Sequence, residues 1–305
     1  MNKASYSAEV KEYLCHRISA QTSFDKGARD KKINKCCEKA FVSAVLLFTK
    51  KLSENMSVLK VETDFFSELL TYLLIHTMNF VPEVREKGRG FEIVLSDERS
   101  AAFVKKLERA EDLSDFIKCR ECMEYFLKGA FLACGTVADP SSSYHLEFVL
   151  SSEKKAKALF SLLLVEDMDA RLISRRNNFV VYIKGSERVS SFFARIGAQK
   201  YALDIIDKSI EKEIKNNVNR SCNCENANTQ KTVKAYVELK NATDKIKEKG
   251  LWDTLSEDLR EVATLRLDHP DASLSELCLL YENGTLSRSG INHRLRKIVE
   301  TAKEL

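Results

Sequence analysis

An internal repeat narrows the possible folds of this chain more than any other feature. The segment "DERSAAFVKKL" (97–107) is echoed by "SERVSSFFARI" (186–196) at an offset of 89 residues, with Glu98, Arg99 and Phe103 matched by Glu187, Arg188 and Phe192. A second pair, "VSAVLLFTK" (42–50) and "LKGAFLACG" (127–135), is offset by 85 residues. Self-similarity at such a period indicates two copies of one supersecondary unit, and the drift in offset is what a short loop insertion gives.

Hydrophobic patterning fills in each copy. In the second, "YHLEFVLSS" (144–152) alternates as a half-buried strand does, and "EKKAKALFSLLLVED" (153–167) returns Ala156, Leu159, Phe160 and Leu163 at helical spacing. "ARLISRRNNFVVYIK" (170–184) reads as two strands around an Asn177–Asn178 turn. The first copy offers a strand in "SVLKVET" (57–63), a helix over Phe65–Met78 and a hairpin across 80–96. The expected order is αββαββα, twice, within residues 1–215, with halves of about 1–115 and 116–215. The fold class is α+β, followed by an all-α C-terminal domain.

The 305 residues include only 10 Gly and 3 Pro, which favours helices with short connections. The longest apolar run (40–48) is too short to span a bilayer, and the N-terminus has no apolar signal core. We therefore expect a cytoplasmic protein without a membrane partner. Lys+Arg 49 against Asp+Glu 45 is too mild a balance to identify a nucleic-acid partner, so local clusters must carry that argument. Nine cysteines in a chain without an export signal argue against a disulfide framework. Cys119/Cys122 and Cys222/Cys224 lie about a hundred residues apart, with no histidine at ligand spacing beside either pair. Both pairs are accordingly expected to hold no metal, and Cys119 and Cys122 to pack as small apolar residues at the opening turn of a helix. No cofactor and no small-molecule substrate is nominated.

The C-terminal third changes character. "NNVNRSCNCENANTQK" (216–231) is polar and Asn-rich and reads as a hinge, followed by a helix over 232–250 that stops at Gly250. Residues 251–305 then hold three helices. Ser256 can cap the first, which carries Leu259, Val262, Ala263 and Arg266 and stops before His269–Pro270. "SLSE" (273–276) is a capping box for the second, whose inward face is Leu274, Leu277, Cys278 and Tyr281, and Asn283–Gly284 breaks it. Ser287 can cap the third, which turns Ile291, Leu295, Ile298 and Ala302 inward. This is helix-turn-helix spacing.

The outward face of the last helix holds Ser289, His293, Arg296 and Lys297, flanked by Asn292 and Arg294. A recognition helix offers its first residues, here Ser287, Arg288, Ser289, Asn292 and His293, to base edges. Its cations, here Arg294, Arg296 and Lys297, meet phosphates. Double-stranded DNA is the expected partner, and the bland alternative is a solvated face on a three-helix bundle. Arg171, Arg175, Arg176 and Lys184 around the second hairpin are candidate phosphate contacts, although exposed hairpins also carry cations for solubility alone.

The repeated element order, and two helices rich in small residues (Ser43 and Ala44; Gly129, Ala130 and Ala133), resemble the LAGLIDADG homing endonucleases. In that family each motif helix supplies an acid that holds a catalytic metal. The matching positions here are Thr49 and Cys134, and the glycine after the first motif is replaced by Lys50. Magnesium prefers carboxylates and water. The resemblance thus implies the scaffold without catalysis, and Asp139 lies past the helix as a poor substitute.

"LREVATLRLDHPDASLSELCLLY" and "LSRSGINHRLRKIVETA" closely resemble the C-terminal domain of the WhiA family of bacterial regulators. "CNCENANTQKTV", "SAEVKEYLC" and "CCEKA" are similar to further segments of that family. The resemblance implies a degenerate LAGLIDADG-like domain tethered to a helix-turn-helix domain. It also implies a nucleoid-associated DNA-binding regulator linked to sporulation, cell division or chromosome segregation, with a second regulatory protein as a further candidate partner. The chain departs from the family at "VSAVLLFTK", where a glycine-rich pattern is expected. Two competing readings are a metal-dependent endonuclease with relocated acids and a cysteine-based redox or metal sensor.

Overall fold

A computed structural model describes residues 5–24, 32–49, 57–88, 90–110, 113–281 and 286–305. The chain divides into two compact units, Met1–Lys212 and Glu213–Leu305. In the first, α1 (Tyr6–Gln21) precedes α2 (Lys35–Phe48), β1 (Ser57–Val61), α3 (Asp64–Met78), β2 (Glu83–Lys87), β3 (Gly90–Leu95) and α4 (Glu98–Arg109). The second copy then runs α5 (Cys122–Cys134), β4 (Gly135–Val137), β5 (His145–Leu150), α6 (Glu153–Val165), β6 (Arg171–Arg175), β7 (Asn178–Lys184) and α7 (Ser186–Arg195). It has the expected αββαββα order. Among the described residues the first copy shows one strand between α2 and α3. Residues 50–56, where the other would fall, lie outside the described residues, as does Lys50.

The two motif helices α2 and α5 form the spine of this unit. Phe41, Ala44, Phe126 and Ala130 are fully buried, and Phe48 meets Phe126 edge to face at 6.0 Å. Gly129 lets the backbones approach: a methyl group there would sit 2.5 Å from the Phe41 carbonyl oxygen and 2.9 Å from Ala44 Cβ. Lys128 is 2% exposed, and its ammonium is held by Glu124 at 2.6 Å over the Tyr125 ring.

Around this spine lie two antiparallel sheets, ordered β1-β3-β2 and β4-β5-β7-β6. β3 and β7 hold equivalent central places, and the registers fix which residues share a face. Leu59, Val61, Ile93 and Leu95 of the first sheet, and Leu146, Phe148, Leu150, Val181 and Ile183 of the second, enter the core. Their alternate neighbours face away from it, because successive strand residues point to opposite sides. The second hairpin turns one residue earlier than expected. Arg175 pairs with Asn178, so the loop is Arg176–Asn177, with Arg176 at φ +55°. A two-residue hairpin loop needs positive φ, and here Arg176 takes that conformation instead of a glycine.

A second departure concerns residues 216–231, expected as a hinge. They are helical, within α8 (Gln199–Glu248), which runs from the first unit into the second. Asn-rich composition disfavours helix only weakly, by up to about 0.7 kcal/mol per residue relative to Ala. No Gly or Pro occurs between Gly197 and Gly250 to stop propagation once the helix has nucleated.

In the second unit α9 (Glu257–Asp268), α10 (Leu274–Leu280) and α11 (Arg288–Glu304) pack with the end of α8. Leu239, Ala242 and Ile246 of α8 join Leu259, Ala263, Ile298 and Ala302 in one cluster. Val262, Leu277 and Ile291 form a second, flanked by Leu274, Cys278, Tyr281 and Leu286. Among the described residues, no helix is long and apolar enough to cross a membrane.

Candidate nucleic-acid interface

The last helix is built from its caps inward. Ser273 and Glu276 form the reciprocal capping box of α10, so two orphan donors are satisfied and the helix start is fixed. Ser287 Oγ accepts from the Gly290 N–H at 3.2 Å and opens α11. Ser256 stands at the N-cap of α9, but its side chain makes no capping bond. Asn283 and Gly284, expected to break the second helix, lie outside the described residues.

Two polar ties hold the bundle. Arg266 is 3% exposed, and its guanidinium donates to the carbonyl of Ala272 in the α9–α10 turn and to that of Thr232 in α8 at 3.0 Å. Burial lowers its pKa from the usual arginine value. Lys245 donates to the Ala302 carbonyl at 2.9 Å near the C-terminal end of α11.

Ile291, Ile298 and Ala302 are buried and Leu295 half-buried, so the inner face of α11 matches the sequence expectation. On the other side Ser287, Arg288, Ser289, His293, Arg296 and Lys297 are exposed, and Asn292 is partly exposed. Arg294 differs from its neighbours because its guanidinium lies 3.1 Å from the Asp258 carboxylate of α9. That bond splints it against the scaffold, whereas Arg296 and Lys297 form no ion pair among the described residues.

The first unit contributes a different surface. Arg171 and Arg175 of β6 and Lys184 of β7 lie on the sheet face turned away from the core, because Arg171 pairs with Tyr182, Arg175 with Asn178 and His145 with Lys184. Arg176 projects from the turn, and all four cations are exposed. Lys184 sits 5.1 Å from the Tyr182 ring centre, and His145 lies 3.3 Å from Glu147 on the same face. Hydrophobic periodicity alone missed Tyr182, His145 and Glu147, and strand register reveals them. The α11 residues and the sheet cations belong to different units.

The positions matched to the motif acids, Thr49 and Cys134, are occupied by groups bonded to their own helices. Thr49 Oγ1 donates to the Val45 carbonyl at 2.7 Å, and Cys134 Sγ to that of Ala130 at 3.4 Å. Burial pushes the Cys134 thiol up to about 12, so it stays protonated. Cations now attend these helix ends. Lys155 donates to the Leu47 carbonyl at 2.7 Å, and burial lowers the pKa of Lys11, which interacts electrostatically with Glu62 and Cys134.

The cysteines at the other ends of α2 and α5 do not pack as isolated apolar residues. Cys119 Sγ lies 3.6 Å from both Cys36 and Cys37 and 3.4 Å from Cys122. Burial would raise the Cys119 thiol, but hydrogen bonds from Cys122, Cys37 and Cys36 outweigh it and bring it to about 7. Burial pushes Cys37 upward. Cys222 and Cys224 are exposed on α8 and stand apart. The missed signal was the repeat itself, because Cys37 and Cys122 are separated by the same 85 residues as the two motif helices.

Comparison with known proteins agrees with both units. Residues 218–302 match the WhiA C-terminal HTH domain, and residues 123–215 the WhiA LAGLIDADG-like domain. A protein of Clostridium botulinum named "Probable cell division protein WhiA" is 32% identical, across 99% of this chain and 98% of its own. One of the same name from Caldicellulosiruptor saccharolyticus is 33% identical over 88% of this chain and 90% of its own. The crystal structure of full-length DUF199/WhiA from Thermatoga maritima shares the fold, with a TM-score of 0.58 at 23% identity over 99% of each chain. The chain therefore belongs to the WhiA family, with a LAGLIDADG-like domain followed by a helix-turn-helix domain.

Proposed function

We propose that this protein is a sequence-specific double-stranded DNA-binding regulator built on a catalytically silent endonuclease scaffold. The observation that carries the reading is α11: one face is locked into the core while its first turns expose Arg288, Ser289 and His293, with Arg296 and Lys297 behind them. Arg and Asn side chains suit guanine and adenine edges in the major groove, and the following cations suit phosphates. Arg294 contributes by bracing α11 on α9 as much as by meeting a phosphate. In the first unit, Arg171, Arg175, Arg176 and Lys184 supply sequence-independent phosphate contacts, and the same domain offers a surface to a second regulatory protein.

The scaffold does not cut DNA. Metal-assisted hydrolysis needs acids beside the scissile phosphate, and Thr49 and Cys134 at those positions are bonded back to their own helices. We take control regions of cell-division genes as its targets, a reading consistent with relatives named as probable cell division proteins, with sporulation and chromosome segregation as the wider setting.

The test is enrichment of sheared genomic DNA by the full-length protein and by an Arg288→Ala/Asn292→Ala/His293→Ala variant at near-physiological salt. Discrete sites recovered by the parent and lost by the variant support the reading. Identical sites from both would move base recognition to another surface. Point substitutions are preferred to removing residues 251–305, since Leu239, Ala242 and Ile246 of α8 would lose the core they share with α9 and α11. Incubation of supercoiled plasmid with Mg²⁺ or Mn²⁺ should yield no nicked product, and nicking would overturn catalytic silence.

A further inference from the structure

We propose that Cys36, Cys37, Cys119 and Cys122 form a structural tetrathiolate site that holds one zinc ion and ties the two repeats together where their motif helices begin. The four Sγ atoms all lie within 4.8 Å of one another. The closer pairs span 3.4 to 3.9 Å, with Cys119–Cys122 the shortest and Cys37–Cys122 the longest. A tetrahedral zinc with Zn–S bonds of about 2.3 Å holds its sulfurs about 3.8 Å apart. The thiols therefore already sit near the corners that one ion requires, and their spacing leaves no room for a multi-iron core. It is also well beyond the ~2.0 Å of a disulfide.

The local structure suits the charge such a site would carry. Four thiolates around a divalent ion leave a net charge of about −2, because binding displaces the four thiol protons. Cys36 and Cys37 stand in the first turn of α2, and Cys122 opens α5 with Cys119 just before it. The unpaired N–H groups and positive dipole end of each helix favour thiolate over thiol there. Lys39 and Lys118 line the same cavity as Cys36 and add positive charge. Cys37 and Cys122 are fully buried, while Cys36 and Cys119 are partly exposed and give an ion a way in.

Each half of the repeat supplies two ligands, and Cys37 and Cys122 occupy equivalent places in the two copies. Four protein ligands leave no open position for water, so the site is structural. It also lies at the opposite helix ends from Thr49 and Cys134, and so is separate from the lost catalytic centre.

The experiment is elemental analysis of full-length, untagged protein purified without chelator. The expected result is about one zinc per chain, falling at least tenfold in Cys119→Ser/Cys122→Ser and unchanged in Cys222→Ser/Cys224→Ser. In case the first variant fails to fold, parent protein stripped of metal is titrated with Co²⁺. An intense visible spectrum with thiolate-to-cobalt charge transfer, erased by added zinc, is expected of four sulfur ligands. Zinc below a tenth of an equivalent, zinc retained by the cluster variant, a disulfide mapped within the cluster, or a weak spectrum of oxygen-ligated cobalt would each overturn the proposal.

Discussion

The two open sheet faces rest on equivalent strands, with β3 between β1 and β2 in the first copy and β7 between β5 and β6 in the second. Their chemistry differs. On the first face Arg85 forms a two-pronged bond to Glu83 at 2.7 Å, and Lys87 lies 3.2 Å from Glu92. Two of its cations are thus consumed by neighbours. On the second face Arg171 and Arg175 have no acid partner among the described residues, and the one acid opposite Tyr182, Glu147, sits beside His145. One backbone plan has produced a face whose hairpin cations are paired with acids and one whose hairpin arginines are not. A repeated fold therefore does not imply a repeated function, and the proposed phosphate contacts fall on the second copy.

The contrast can be attacked at four points. The largest effect is expected where the copies meet. Gly129→Val would drive a side chain into the Phe41 backbone and should cost about 3 kcal/mol, at the upper end of overpacking penalties. Urea unfolding of the first unit reads this directly, and a loss below about 1 kcal/mol would mean that the helix pair tolerates separation.

Next is Arg266→Ala, which removes the guanidinium bonds to the Ala272 and Thr232 carbonyls inside the second unit, at a cost of about 2 kcal/mol. Because the site lies outside the repeat, thermal melts should show the first unit unmoved. A fall in both transitions would show that the units unfold together.

Third, Arg171→Ala/Arg175→Ala should flatten the dependence of log K on log salt by about 2, at roughly 0.9 per phosphate contact. The matched Arg85→Ala/Lys87→Ala pair should shift it by less than about 0.5, since those charges are already spent on Glu83 and Glu92. Equal slopes for the two double variants would erase the distinction drawn between the faces. The smallest effect is expected of Thr49→Val, which removes one hydroxyl bonded to its own helix and should change stability by about 1 kcal/mol or less, with no change in DNA affinity.

The sequence was most readable where one period governed one buried face. Ile291, Leu295, Ile298 and Ala302 recur at helical spacing, and the caps Ser273 and Ser287 announce the helix starts, so α10 and α11 are legible in the sequence itself. The sheet cations were visible as residues but not as a surface. In "RLISR", Ile173 is exposed on the same side as Arg171 and Arg175, so hydropathy hides the parity that pairing with β7 reveals. Residues 216–231 look like a hinge by polarity, but the absence of any Gly or Pro between Gly197 and Gly250 lets the helix continue through them. The cysteine cluster was hidden for another reason. Ligand-spacing rules look along the chain, whereas Cys36 and Cys119 stand 83 residues apart and are joined only when the repeats pack.

The uninterrupted backbone of α8 also has a consequence for how the molecule opens. Tyr201, Ala202 and Ile205 are buried with the first core, Leu239, Ala242 and Ile246 with the second, and residues 213–231 between them are exposed throughout. Amides within the two buried stretches can exchange with solvent only when the core beside them opens. Those in the middle need only a local breach of the ladder. A single helix would therefore register in hydrogen exchange as three kinetic bodies, with a fast-exchanging centre between two protected stretches.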